Sequence, residues 1–253
     1  MEIIFEAVDY DGENVFSTKV SPVFLGQLMR LGFSDFRKLG EGIENLILEA
    51  RNVNGTTYAL VINKRFDINE QYDEERRNEI NNLKSIQESD PIINNYMVKI
   101  YDLLCVHGKL SDDYRFMNKN IMIIVEEKAD ITLSMKARFL RSIYTISQKQ
   151  QFLESVKKRL ILIKDYFETK NIFHYDSKPD NIMFMDAFDV DSLVLIDITS
   201  FMEINKEQKR DDRDIDDTLA TIIQYTNNES SISRSIEESQ KLGKLLNLNF
   251  IFY

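Results

Sequence analysis

The chain has 253 residues and a formal net charge of -10, with a pI near 4.9. That length can bury a substantial core in one large domain or two lobes. The acidic balance argues against nonspecific binding to nucleic acid or an anionic membrane, so neither is expected as a partner. No apolar run reaches the eighteen or more residues of a spanning helix, so no membrane span is expected. The single cysteine, Cys105, leaves no intrachain disulfide, as suits a reducing compartment. The first residues, Met1-Glu2-Ile3-Ile4-Phe5-Glu6, carry no basic n-region of a cleavable signal peptide. A cytoplasmic location is expected.

In chain order, residues 2–20 predict a β-hairpin around a turn at residues 9–14, and 22–31 a short helix. Residues 1–35 read as an N-terminal extension that pads the neighbouring lobe or binds a partner. Phe36 to Leu48 then carries Gly40-Glu41-Gly42-Ile43-Glu44-Asn45-Leu46-Ile47. Glycines allow a backbone to approach phosphates closely, although a plain hairpin turn uses them too. After an Asn54-Gly55 turn, Thr57 to Lys64 reads as a strand ending in a lysine. Residues 69–88 are helical in character. Glu75, Glu79, Leu83 and Ile86 fall at helical spacing on one face.

Two strands are expected over 98–106 and 120–125, then helices over 132–140 and 148–169. In the second helix Phe152, Val156, Leu160, Ile163 and Phe167 recur at spacings of four, four, three and four, a core-facing stripe. Next comes His174-Tyr175-Asp176-Ser177-Lys178-Pro179-Asp180-Asn181. A short apolar run, Leu193 to Ile196, delivers Asp197, and a further helix starts near Arg213. A last helix is expected over about 229–246. Taken alone, Asp, Ser, Pro and Asn before a hairpin also make an ordinary polar turn.

Taken together, these segments resemble a protein kinase over roughly residues 36–225. His174 to Asn181 matches the catalytic loop H-R-D-L-x-x-x-N, and Asp197 in Ile196-Asp197-Ile198-Thr199 stands where kinases carry D-F-G. Gly40 to Ile47 resembles the glycine-rich loop, with Asn45 in the third glycine's place and Ile47 as the apolar clamp. Val61 to Lys64 resembles V-A-I-K, with Ile62 where alanine usually sits. The resemblance implies an α+β, bilobal fold: a small antiparallel β lobe with one helix (36–128) and an abbreviated, mainly helical large lobe (129–253).

It also implies ATP and magnesium as cofactors and a protein substrate. Asp176 would take the proton of the substrate hydroxyl, and Lys178 would reach the transferring phosphoryl. Asn181 and Asp197 would ligand Mg²⁺, which favours oxygen. Gly40, Gly42, Ile47 and Lys64 would hold the nucleotide. Glu79 would pair with Lys64, with Glu75 the second choice, against the alternative of a solvated strand-end lysine. Val125 would be the gatekeeper, and the backbone of Glu126 and Lys128 would meet the adenine edge. Asp214 would brace the catalytic loop, or simply begin a solvated acidic helix.

Lys178 favours serine or threonine substrates. Tyr175 in place of arginine predicts activity without loop phosphorylation. Only 56 residues follow Asp197, which resembles the minimal kinases of bacterial effectors or viruses. Such a protein would work in a host cytoplasm and could take an activating partner protein. A small-molecule phosphotransferase and a pseudokinase-type binding module are the alternatives.

Overall fold

Ser21 opens the first helix, α1 (Pro22–Arg30). Its hydroxyl accepts the Val23 amide at 3.2 Å, and Pro22 fills the first turn, where a missing N–H costs nothing. The computed structural model describes residues 20–42, 45–64, 70–111, 119–174, 176–203 and 213–227. The expected hairpin over 2–20 (but for Val20), Tyr175 and the expected last helix lie outside the described residues. The architecture is mixed helix and antiparallel sheet. It divides into two units: the described residues up to Pro91 with Lys99–Lys128, and Ile92–Val98 with the described residues from Ala129 on.

The first unit is a five-stranded antiparallel sheet of β1 (Phe33–Glu41), β2 (Asn45–Asn52), β3 (Thr57–Asn63), β4 (Ile100–Gly108) and β5 (Lys119–Glu127). The order is β1-β2-β3-β5-β4, so β1 and β4 are edges. Gly55, at φ 80°, makes the turn between β2 and β3. Strand alternation gives the sheet two faces. On one lie Leu46, Leu48 and Ala50 of β2, Leu60 and Ile62 of β3, Val106 of β4, and Ile121, Ile123 and Val125 of β5. Phe24, Leu25 and Leu28 of α1 pack on them in one cluster.

The segment leading into α1 is tied to the β4 end of the sheet. Ser21 N–H donates to the Leu110 carbonyl at 2.8 Å, and Gln27 Nε2 donates to the His107 carbonyl at 2.7 Å. The expected helix over 22–31 is therefore a built-in cover for the core face.

The opposite face takes α2 (Glu70–Ser89). Arg77 of α2 reaches the Cys105 sulfur at 2.9 Å, and the buried Gln87 side chain accepts the Ile100 amide at 2.9 Å. Among the described side chains of this helix, Ile80, Leu83 and Gln87 are buried.

In the second unit, β6 (Ile131–Thr132), β8 (Ile182–Phe184) and β9 (Leu193–Leu195) form a small sheet, and β7 (Ile172–His174) pairs with β10 (Phe201–Glu203). α3 (Leu133–Ile143) is capped by Thr132, and α4 (Ile146–Thr169) by a Thr145–Gln148 capping box. The stripe Phe152, Val156, Leu160, Ile163 and Phe167 is buried, as its spacing requires. Arg159 of α4 donates to the Leu193 carbonyl at 3.2 Å from Nε and also to the Asn95 carbonyl, its guanidinium 5.0 Å from the Tyr96 ring centre. The Leu195 amide donates to the Tyr96 carbonyl at 2.9 Å, which places 92–98 in this unit.

Phe24 is fully buried. Phe24→Ala is expected to lower unfolding free energy by about 3–5 kcal/mol, through lost transfer energy plus a cavity. Urea denaturation followed by circular dichroism measures it, with Val23→Ala (66% exposed) as the near-neutral reference.

Candidate active site

α4 ends where Asn171 turns left-handed, at φ 53°, and the chain enters β7. His174, the last residue of β7, is 4% exposed. Its Nε2 lies 2.8 Å from the Ile196 carbonyl, and its ring meets Phe201 edge-on at 4.6 Å. Burial holds the imidazole below its ordinary value of 6.5, against the smaller opposing pulls of the Ile196 carbonyl, Asp197 and Asp176. The ring is therefore neutral and a fixed strut between the loop and the residue before Asp197.

Asp176 follows at the exposed edge of the loop. Its Oδ2 accepts Lys178 Nζ at 2.7 Å and Asn181 Nδ2 at 2.7 Å. Asn181 Nδ2 also bonds the Asp176 carbonyl at 2.9 Å. Two acceptors fix which end of the amide is nitrogen. The hydrogen bond to Asp176 raises the Lys178 amine above its ordinary value of 10.5, with the fields of Asp176, Asp197 and Asp180 adding to it against partial burial.

The Ile196 amide donates to the Asn181 carbonyl at 2.9 Å, so the loop grips the strand end that carries Asp197. Asp197 sits at φ 59°, ψ 66°. A non-glycine residue in this region costs of order 1–3 kcal/mol and persists where the surroundings enforce it, often at functional sites. Here Asp197 Oδ2 accepts Ser200 Oγ at 2.7 Å, and the Ser200 amide bonds the Asp197 carbonyl at 2.8 Å. Asp176, Lys178, Asn181 and Asp197 thus form one constellation within the second unit.

Similarity to known proteins points the same way. The relation is kinase-like and distant. The chain is 25% identical over 193 residues to the dual specificity protein kinase CLK2 of Mus musculus, covering 74% of this chain and 32% of that protein. It is 24% identical to the Homo sapiens CLK2 over the same shares. The chain spans about a third of the length of these curated relatives. No protein-family model matches it.

A kinase-like site needs oxygen ligands for a divalent metal. Asn181 Nδ2 is committed to Asp176, and no hydrogen bond to Asn181 Oδ1 is made among the described residues. That amide oxygen and the Asp197 carboxylate are of the donor type that Mg²⁺ takes, and Mg²⁺ keeps waters and phosphates beside few protein ligands. Among the described residues no group of three His, Cys, Asp or Glu side chains forms a dedicated metal cage.

The first unit departs from expectation. Lys64 pairs with Glu41, Nζ to Oε1 at 2.7 Å, and not with Glu79. Glu79 is 56% exposed and bonds Arg76 at 3.3 Å. The cause is helical phase: the buried stripe of α2 runs through Ile80, Leu83 and Gln87. Glu79 stands one residue, about 100°, from Ile80, and both it and Glu75 are turned outward from the expected face.

Strand register separates two further residues. Ile47 lies opposite Val61, whereas Leu46 lies opposite Ile62 and Glu41 opposite Leu46. Ile47 and Val61 therefore share the α2 face. Ile62, Glu41 and Lys64 follow the core face. Ile62, at the expected alanine position, and Val125, at the expected gatekeeper position, are core residues in one cluster with α1.

Gly40 and Gly42 have open space where a side chain would stand. Residues 43–44 between them and β2 lie outside the described residues. Asn45 is the first residue of β2 and takes no left-handed backbone. Glu126 is buried in β5, and Lys128 lies 3.4 Å from Glu49.

Sequence reasoning missed Thr218. It sits in α5 (Arg213–Asn227), and its hydroxyl donates to the Ser177 carbonyl at 2.5 Å, bracing the loop. A threonine in an apolar helical stripe gives little signal. The side chain of Asp214, expected in that role, lies outside what the structure describes.

The pH dependence follows from His174. Its folded value lies below the unfolded 6.5, so the unfolded chain binds more protons between the two. The neutral ring's contribution is complete above pH 6.5 and is lost as pH falls below it. The urea midpoint is expected to drop between pH 7.5 and 5.5, with a smaller drop in His174→Asn.

Proposed function

We propose that the chain is an ATP- and magnesium-dependent protein kinase that passes the γ-phosphoryl group to serine or threonine of a protein. The observation that carries this reading is the Asp176 carboxylate. Lys178 and Asn181 hold Oδ2, and on this reading Oδ1 is the oxygen that meets the substrate hydroxyl.

On this reading Oδ1 orients the hydroxyl and takes its proton as the new P–O bond forms and the bond to ADP breaks. Lys178, with its amine held charged, neutralises the moving phosphoryl group. Asn181 and Asp197 would hold Mg²⁺, which supplies charge neutralisation on the phosphates. His174 holds the loop still through the Ile196 carbonyl. Gly40, Gly42 and Ile47 serve the nucleotide from the first unit, as does the backbone of Glu126 and Lys128. Tyr175 in place of arginine supports activity without loop phosphorylation.

A pseudokinase-type binding module is the second reading. It is favoured by one observation: the Lys64 ammonium is engaged by Glu41 on the face opposite Ile47. Nucleotide binding without turnover would mark it.

Transfer of labelled γ-phosphate to generic protein substrates decides between them. Wild type is expected to transfer label only with Mg²⁺ and to stop with EDTA. Asp176→Asn is expected to lose about 10²–10⁴-fold in rate while keeping nucleotide affinity. Equal transfer by wild type and Asp176→Asn would refute the assignment.

A further inference from the structure

We propose that Ser200 is a positioning residue for Asp197: its buried hydroxyl holds one carboxylate oxygen and presets the side chain for a divalent cation before the cation arrives. The inference rests on the kinase reading for the metal, and on geometry alone for the hold.

Ser200 is 3% exposed and ends a short helical turn over Ile198–Ser200. Its hydroxyl donates to Asp197 Oδ2 at 2.7 Å, and its amide donates to the Asp197 carbonyl at 2.8 Å. One residue thus grips both the side chain and the backbone of Asp197. The turn is pinned on either side. Ile198 and Phe201 are buried, and the Phe201 amide donates to the Ile198 carbonyl. Phe201 pairs with His174 across β10 and β7, and its ring centre lies 4.6 Å from the imidazole and 5.2 Å from the Phe167 ring. The hydroxyl is therefore a fixed point against which the carboxylate is set.

The choice of acceptor separates this serine from others in the chain. Ser89, Thr169 and Thr226 also look back three residues, and each gives its hydroxyl to the backbone carbonyl found there. Ser200 gives its hydroxyl to the side chain. The donor is neutral, so the carboxylate keeps its charge. A carboxylate oxygen has two lone-pair sites, and one hydrogen bond leaves Oδ2 able to accept again. A lysine in the same place would orient the group but also cancel its charge. Partners of this kind fix the direction of a metal ligand. A ligand free to turn is competent for only part of the time, and the apparent metal affinity falls by that fraction.

Calorimetry on the full chain tests this, with a non-hydrolysable ATP analogue titrated with and without Mn²⁺. The quantity read is the factor by which Mn²⁺ tightens the analogue. Asp197→Asn is expected to lose that factor. Ser200→Ala is expected to lower it about tenfold and to leave the metal-free affinity within about twofold of wild type. Adding Ser200→Ala to Asp197→Asn is expected to change nothing further, because the hydroxyl acts through the carboxylate. Hydrogen exchange of residues 196–201 in the metal-free chain is expected to speed about tenfold in Ser200→Ala. Ser200→Cys, close in size but a weak donor, replaces the alanine variant if that one fails to fold.

A wild-type factor in Ser200→Ala would overturn the proposal. So would equal weakening with and without Mn²⁺, which marks a merely structural serine, or a wild type that binds the analogue with no response to Mn²⁺. If wild type binds the analogue under neither condition, the kinase reading falls. The exchange measurement then decides the hold, and unchanged exchange in Ser200→Ala refutes it.

Discussion

The Asn181 side chain is the tie on which the candidate site depends. One amide group bonds both the backbone and the carboxylate of Asp176, while its own backbone carbonyl receives the Ile196 amide. The loop that carries Asp176 is thereby closed on itself and held by a hydrogen bond to the end of the strand that leads into Asp197. Removing that amide would leave the Asp176 carbonyl without this donor and its carboxylate with Lys178 alone of the two, while the backbone bond to Ile196 would stay. Charge-assisted bonds of this kind are among the stronger ones available to a loop. They let a short stretch with little regular structure keep a fixed shape.

The first unit is organised by a different constraint, the two-residue period of its strands. A pleated sheet with one helix on each face gives every side chain a side. Leu46, Leu48, Leu60 and Ile62 are committed to the α1 face, so Ile47 and Val61 must take the other. A shift of one residue exchanges the two sets entirely. The assignment of nucleotide-facing positions in this unit is only as good as that register.

Much of the second unit was legible in the sequence. The stripe on α4 announced a buried face, and the apolar run before Asp197 announced a strand; both appear where the spacing put them. Less of the first unit was legible. The spacing of Glu75, Glu79, Leu83 and Ile86 was helical, but another set, Ile80, Leu83 and Gln87, was equally helical and more apolar at its start. Packing chose the second. The motif likeness at Lys64 marked a residue type at a strand end and carried no information on which way it faced. Partners chosen across long sequence distances, such as Glu41 for Lys64 or Thr218 for the Ser177 carbonyl, leave no local signature at all.

The excursion of residues 92–98 has a practical corollary. Ile93, Met97 and Val98 are at most 1% exposed, and they fold with the second unit although both flanking stretches belong to the first. The polypeptide therefore crosses from one unit to the other three times. No single cut divides it cleanly. A fragment ending at Lys128 would carry three orphaned apolar side chains into water, and one starting at Ala129 would lack the carbonyls that Arg159 and Leu195 bind. Dissecting this protein for expression calls for an engineered bridge across 92–98, since a terminus placed at 128 severs what the chain has interleaved.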